Sequence, residues 1–284
     1  MNIVKTNSVT PGQEAEIREL ETKSFEEEHL ENRAFLSNDL NLDRSLPCFY
    51  LGYEGKTLTA FLTTFFPTRE DGEINAFTHP DYRRQGRFTS LLQEAFRDLR
   101  DAGIGRAVFA VEPNSTSGMA SLRSFPAVEW LRAEYRMVGE EENVPPMAEG
   151  RTVRPLEAAT KADYLAISEK AFAEEEEGET LADAVIESKT RQGFLLYDRG
   201  EAVGVFDFEL DGERIFLFGV AVKEECRNRG YGREIVRYAL REGRRLQKPV
   251  VLDVDSENPP ALHLYQNCGF QTTFQVDYYA CPLA

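Results

Sequence analysis

The chain has 284 residues, 42% apolar and 29% charged, enough for two ordinary domains each with its own core. A net charge of −16 argues against a nucleic-acid partner, which needs a basic face for phosphates. There is no apolar run of membrane-spanning length and no leader-like core in MNIVKTNSVTPGQEAEIREL, so a cytoplasmic location without membrane partners is expected.

In chain order, a short opening strand is followed by a helix-like run to Phe25 with an acidic tail, Glu26 to Glu28. Phe49 to Phe61 (FYLGYEGKTLTAF) reads as two strands around a glycine turn. A strand then feeds a basic turn, Arg83, Arg84, Gly86 and Arg87. A helix follows with Leu91, Leu92, Ala95 and Phe96 on one face, and Asn114 comes after the next strand. Residues 139–150, GEEENVPPMAEG, are charged, proline-rich and non-periodic, and make a linker.

The order then repeats. At an offset of 144 (227 − 83), Arg83 falls on Arg227 and Gly86 on Gly230. Leu91, Leu92, Ala95 and Phe96 fall on Ile235, Val236, Ala239 and Leu240, and Asn114 falls on Asn258. Phe194 to Phe206 (FLLYDRGEAVGVF) matches the earlier strand pair, and the run to Phe172 with Glu174 to Glu177 matches the first helix and its acidic tail. The reading is two domains, 1–140 and 151–284. Each runs strand, two helices, three antiparallel strands, turn and helix, strand, helix, strand.

The second basic turn carries the clearest chemistry. Val220, Ala221 and Val222 end a strand. Arg227, Asn228, Arg229, Gly230, Tyr231 and Gly232 form the turn, and Arg233 opens a helix. Glycines there let backbone N–H groups approach and face a ligand, and the helix dipole adds positive potential, so a phosphate or pyrophosphate is expected. A Walker loop is excluded because Arg233 and Glu234 follow Gly232, and a dinucleotide fingerprint because position 235 is Ile. Arg233, Arg237 and Arg241 lie at helical spacing and repel one another, which an anion would relieve, although a solvated arginine face has the same pattern.

The R-x-x-G-x-G pattern of Arg227, Gly230 and Gly232 resembles the coenzyme A pyrophosphate loop of the GNAT superfamily of acyl-CoA-dependent N-acyltransferases. Asn258, Ala261, Tyr265 and Gly269-Phe270 resemble that family's next loop and helix. The resemblance covers nearly the whole chain, and the tandem is similar in architecture to the mycothiol synthase family. It implies an α/β (α+β) fold: two tandem GNAT domains, each a mixed, mostly antiparallel sheet flanked by helices. It also implies acetyl-CoA as cosubstrate, no metal, and a small-molecule or peptide amine as acceptor.

On that resemblance, Val220 and Val222 pair with the pantetheine arm between two splayed strands. Backbone N–H groups from Asn228 to Arg233 hold the pyrophosphate, Asn258 binds the cofactor, and Tyr265 protonates the leaving thiolate. The strand before the turn lacks the glutamate that many relatives use as general base. Asp207 and Glu209, with Glu213 behind them, are candidates, each equally a solvent-facing carboxylate; a water relay is the other route. Glu174 to Glu177 make either a rim for a cationic amine or a solvated acidic face, the second being the commoner fate of such runs.

In the first half, Phe88 stands where the second has Gly232, and Tyr265 matches Ser121 or Leu122 depending on one gap. The first half is therefore read as a degenerate copy whose turn Phe88 crowds, holding coenzyme A weakly or not at all, and catalysis is assigned to the second. An acyl-CoA binding or sensing module without turnover is the alternative function. Cys48, Cys226, Cys268 and Cys281 show no metal spacing and read as reduced thiols, and His263 reads as a packing or surface residue. The sequence leaves oligomeric state open.

Overall fold

A computed structural model describes the chain except for residues 126, 141–143, 173–177, 211 and 284; the side chains of 178–181 are also outside the description. The elements are β1 (Asn2–Thr6), α1 (Pro11–Glu28), β2 (Phe49–Glu54), β3 (Thr57–Phe65), β4 (Asp71–Thr78), α2 (Arg87–Asp101), β5 (Arg106–Val111), α3 (Thr116–Leu122) and β6 (Glu129–Gly139). They continue as β7 (Arg151–Pro155), α4 (Lys161–Phe172), α5 (Gly178–Glu187), β8 (Arg191–Asp198), β9 (Glu201–Leu210), β10 (Ile215–Val222), α6 (Tyr231–Leu246), β11 (Val250–Asp255), α7 (Pro259–Gln266) and β12 (Gln271–Pro282).

Two compact units result, residues 1–134 with 274–284 and residues 135–273. This division is not the linear one at 139–150 expected from the sequence. β12 pairs antiparallel with β5, from Asp277↔Val111 to Pro282↔Arg106, so the end of the chain completes the first unit's sheet. Residues 135–139 of β6 lie next to β11 in the second unit, where Arg136 makes a two-pronged pair with Asp253 at 2.7 and 2.8 Å.

Strand order is β1-β2-β3-β4-β5-β12 in the first unit and β7-β8-β9-β10-β11-β6 in the second. In both units the pairings among the described residues are mostly antiparallel, with β4–β5 and β10–β11 parallel. The β8–β9 hairpin turns on Arg199 and Gly200, both at positive φ, the twist that two-residue hairpins prefer. α6 buries Ile235, Val236, Ala239 and Leu240, the expected face, and α2 buries Leu91, Leu92 and Ala95 as expected, with Leu99 fully buried and Phe96 only half-buried. Burying each large apolar side chain contributes roughly 1.5–3 kcal/mol, which anchors both basic turns to their sheets.

The first unit departs from the expected order in one place. Only α1 precedes its strand run, and residues 29–48 form no second helix. Their ENRAFLSNDLNLDRSLP segment is rich in Asn, Asp, Ser and Pro, whose side chains compete for backbone hydrogen bonds. Asn38 does so directly, donating to the carbonyls of Asn7 and Arg44.

Candidate active site

In the second unit, β11 pairs with β10 only at Ile215↔Val250 and Phe216↔Val251. Among the described residues, that edge of β10 has no strand partner from Leu217 onward. β10 also bulges against β9 between Phe218 and Ala221, where Gly219 has φ +59°. Val220 and Val222 therefore lie beyond the split, half-buried, with backbone groups accessible to an extended ligand.

The strand leads into the basic turn. Arg227 is extended, Asn228 has φ +61° and Gly230 +84°. Alternation of this kind turns successive N–H groups to one side and makes an anion-binding concavity. Asn tolerates the left-handed region better than other side-chain-bearing residues, which suits position 228. A Cβ on Gly230 would meet nothing within 4 Å, so glycine is required there for conformation and not for space. Gly230 caps α6 without a side-chain hydrogen bond, leaving first-turn N–H groups for a ligand. Arg227, Arg229 and Arg233 are exposed around it.

Tyr231 faces inward. Its hydroxyl donates to Asp198 at 2.6 Å, which raises its pKa, and Arg151 stacks on its ring at 4.5 Å. Only its backbone N–H belongs to the turn. Gly232 has a separate reason: a Cβ there would lie 3.0 Å from Leu264, so glycine lets α7 pack close to α6.

α7 is capped by Asn258, whose side chain accepts from the Ala261 N–H at 3.2 Å. Seven residues past the cap, Tyr265 is buried at 8% exposure beside Phe270, ring centroids 5.9 Å apart. Burial, with a smaller contribution from Cys268, pushes its phenol up to about 12. The group is therefore neutral and able to donate across the physiological range. Among the described residues its hydroxyl has no hydrogen-bond partner.

The carboxylate candidates separate. Glu209 is half-buried and pairs with Arg191 at 3.7 Å, and Glu213 is exposed. Asp207 is 4% exposed, which corrects its solvent-facing reading. It stands opposite Phe218 beside the bulge, and Tyr164 donates to its Oδ2 at 2.7 Å. Tyr164 has no motif signal. Asp207 had one, since it interrupts an almost wholly apolar strand, VGVFDF, in which a charge must be buried.

The arginine face of α6 is partly neutralised from within, so an anion is one of two sources of relief for it. Buried Glu234 pairs with Arg151 at 3.3 Å and Arg241 at 3.4 Å, and Arg245 pairs with Glu242 at 2.7 Å. Glu174 to Glu177, read as an amine rim or a solvated acidic face, lie outside the described residues. The four cysteines are free and buried, and His263 is exposed. Among the described residues no group of His, Cys, Asp or Glu could hold a metal ion, and no helix is long and apolar enough to cross a membrane.

The first unit repeats much of this. β4 and β5 pair from Asp71↔Arg106 to Ile74↔Phe109 and then part. Arg84 has φ +60° and Gly86 +75°, matching Asn228 and Gly230, and α2 also begins without a side-chain cap. A cavity of about 820 Å³ fills the split, lined by the turn, Ala76, Thr78, Ala110, Ser117 and Ser121. Phe88 lines this groove without closing it, which corrects the expectation that it crowds the turn. Ser115 caps α3 as Asn258 caps α7, so Tyr265 corresponds to Leu122 and not to Ser121. Asn114 instead donates to the His29 carbonyl at 2.8 Å.

Residues 14–122 and 158–270 each match the Acetyltransferase (GNAT) family. A mycothiol acetyltransferase of Pseudarthrobacter chlorophenolicus is 27% identical over 254 residues, 81% of this chain and 76% of that protein. The fold is similar to a GCN5-related N-acetyltransferase from Sphaerobacter thermophilus, with TM-score 0.73 and 16% identity over 99% of this chain and 96% of that one. A tandem GNAT protein from the clavulanic acid biosynthesis pathway has TM-score 0.71 and 12% identity, over 100% and 98% of the two chains.

Proposed function

The chain belongs to the acetyltransferase (GNAT) family, and we propose that its second unit transfers an acetyl group from acetyl-CoA to a primary amine. One observation carries the reading. β10 parts from β11 after Phe216 and runs into a helix start without a side-chain cap, preceded by two positive-φ residues, while α7, bearing Tyr265, packs against that helix and against β11.

The residues present fit coenzyme A. The free N–H groups at the start of α6 and exposed Arg227, Arg229 and Arg233 would hold its phosphates. The open edge of β10 at Val220 and Val222 would pair with its amide-bearing arm. Asn258 and Ala261 at the start of α7 would flank the cofactor. Bound acetyl-CoA supplies an activated thioester, and the protein places the amine and moves protons. A neutral Tyr265 gives a proton to the departing sulfur, and a carboxylate near the bulge, best met by Asp207, takes one from the amine. No covalent enzyme intermediate is required.

Thiol release from acetyl-CoA across a panel of primary amines tests the reading. Amine-dependent release supports it, and no release with any amine, from protein that binds acetyl-CoA, contradicts it.

A second reading applies to the first unit and rests on its open groove. A split of about 820 Å³ ending in the same turn geometry suits a coenzyme A-type ligand, and Leu122 removes the proton donor. We read that unit as a holder of the cofactor without turnover.

A further inference from the structure

Asp207 and Tyr164 form a buried pair, 4% and 8% exposed, that the family pattern did not mark. The Tyr164 hydroxyl donates to Asp207 Oδ2 at 2.7 Å. Two glycines clear the space around the carboxylate. A Cβ on Gly219 would lie 2.5 Å from Oδ2, and one on Gly193, directly opposite on β8, would lie 2.9 Å from Oδ1. Gly219 is also the bulge residue of β10, at the point where that strand has left β11.

Burying a carboxylate is costly, and a purely structural position of this size is filled more cheaply by an apolar side chain. Here two strands give up side chains, and one bends, around a carboxylate at the mouth of the split. Resting on the acyl-transfer reading above, we propose that Tyr164 is a positioning residue that holds Asp207 at the bulge as acceptor of the amine proton. The amine N–H proton passes to the Asp207 carboxylate as the nitrogen lone pair forms the N–C bond. The C–S bond breaks, the thiolate takes the Tyr265 proton, and Asp207 and Tyr265 then exchange protons with solvent.

β10 (IFLFGVAV) has no titratable side chain. Glu209 on β9 and Arg191 on β8 pair with each other two residues along. On α4, Tyr164 is the titratable group in contact, while Lys161 pairs with Asp183 and Asp163 accepts from Tyr197. The Tyr164 hydrogen bond favours the ionised carboxylate, so its removal raises the pH at which Asp207 loses its proton.

The test compares wild type with Tyr164→Phe, Asp207→Asn and the double variant, using acetyl-CoA and an amine that the wild type acetylates. Asp207→Asn should lower kcat about 10²- to 10⁴-fold. Tyr164→Phe should lower it about tenfold and move the acidic limb of kcat/KM upward by roughly half to one pH unit. In the Asp207→Asn background Tyr164→Phe should add nothing, because the two act as one unit. A lower melting temperature with an unmoved limb would reduce Tyr164 to packing and overturn the proposal. In parallel, the carboxyl resonance of carbon-13-labelled Asp207, assigned by its loss in Asp207→Asn, should titrate at higher pH in Tyr164→Phe. If no amine is acetylated, the acyl-transfer reading fails, whereas an unchanged Asp207 titration overturns this inference by itself.

Discussion

The two basic turns have nearly one backbone and two surroundings. Arg84 and Gly86 have φ of +60° and +75°, Asn228 and Gly230 +61° and +84°, and both turns start a helix without a side-chain cap. Both stand beside parallel strands that pair briefly and part. Around them the chemistry differs. Leu122 replaces Tyr265, and Thr64, opposite Ile74 as Asp207 is opposite Phe218, replaces the carboxylate. With Phe25 matched to Phe172, Ile17 falls on Tyr164. The first turn's Arg83 is also held by Glu27 and Glu28 at 2.9 and 2.6 Å, while exposed Arg227 donates to the Val222 carbonyl, as Arg83 does to that of Thr78. The turn geometry is common to both units, whereas Tyr265, Tyr164 and Asp207, the side chains proposed to handle protons, stand only in the second. A duplicated fold can retain backbone chemistry after side-chain chemistry is gone, because glycine conformation and helix ends need few specific residues.

The comparison is broken most severely at Tyr265. Tyr265→Phe keeps the ring against Phe270 and removes the donor, so kcat should fall about 10²- to 10⁴-fold, with acetyl-CoA affinity changed by less than about 1 kcal/mol. Steady-state rates and calorimetric titration check both halves of this statement. A value within threefold of wild type, on an amine whose chemistry limits the rate, would return Tyr265 to a packing role.

The pH dependence sharpens the same point. The Tyr265 pKa is raised in the folded chain to about 12, so the phenol stays protonated where an exposed tyrosine ionises. Its contribution to stability is fully present below about pH 10, the unfolded value. It is lost as pH rises from there through about 12. Rate profiles should therefore show no Tyr265 limb below about pH 10, and wild type should lose more stability than Tyr265→Phe between about pH 10 and 12. Chemical denaturation at several alkaline pH values reads the difference.

The smallest effects belong to the caps. Asn258→Ala and Ser115→Ala each remove a side chain that accepts from the first turn of its helix, costing about 1 kcal/mol. Melting temperatures should fall by a few degrees in both variants, and turnover should respond more to Asn258→Ala.

Much of this was legible in the sequence where a local rule has few solutions. Gly86 and Gly230 mark turns because the left-handed region favours glycine, and the cap-to-Tyr265 spacing places a phenol in the last turn of a short helix. The hairpins at Gly55 and Gly200 follow from the same rule. What escaped depends on distant partners. The β12–β5 pairing joins residues some 170 apart (277 − 111 = 166), and no local pattern encodes it. Phe88 reads as an obstruction along the chain, yet it lines an open groove. Asp207 was visible as a charge in an apolar strand, but Tyr164 is an ordinary helical tyrosine until the fold brings the two together.

The most direct test of the division between the units is one ratio, the kcat/KM for acetyl-CoA of Gly86→Asp over that of Gly230→Asp, in the same amine assay. Both glycines have positive φ and open space around a Cβ, so folding strain is matched and the charge is set against the same backbone concavity. If the second unit performs the transfer and the first only holds its ligand, Gly230→Asp loses about 10²-fold, equivalent to 2–3 kcal/mol of anion binding, and Gly86→Asp stays within about twofold of wild type. The account predicts a ratio near 10². A ratio of one or below would contradict it.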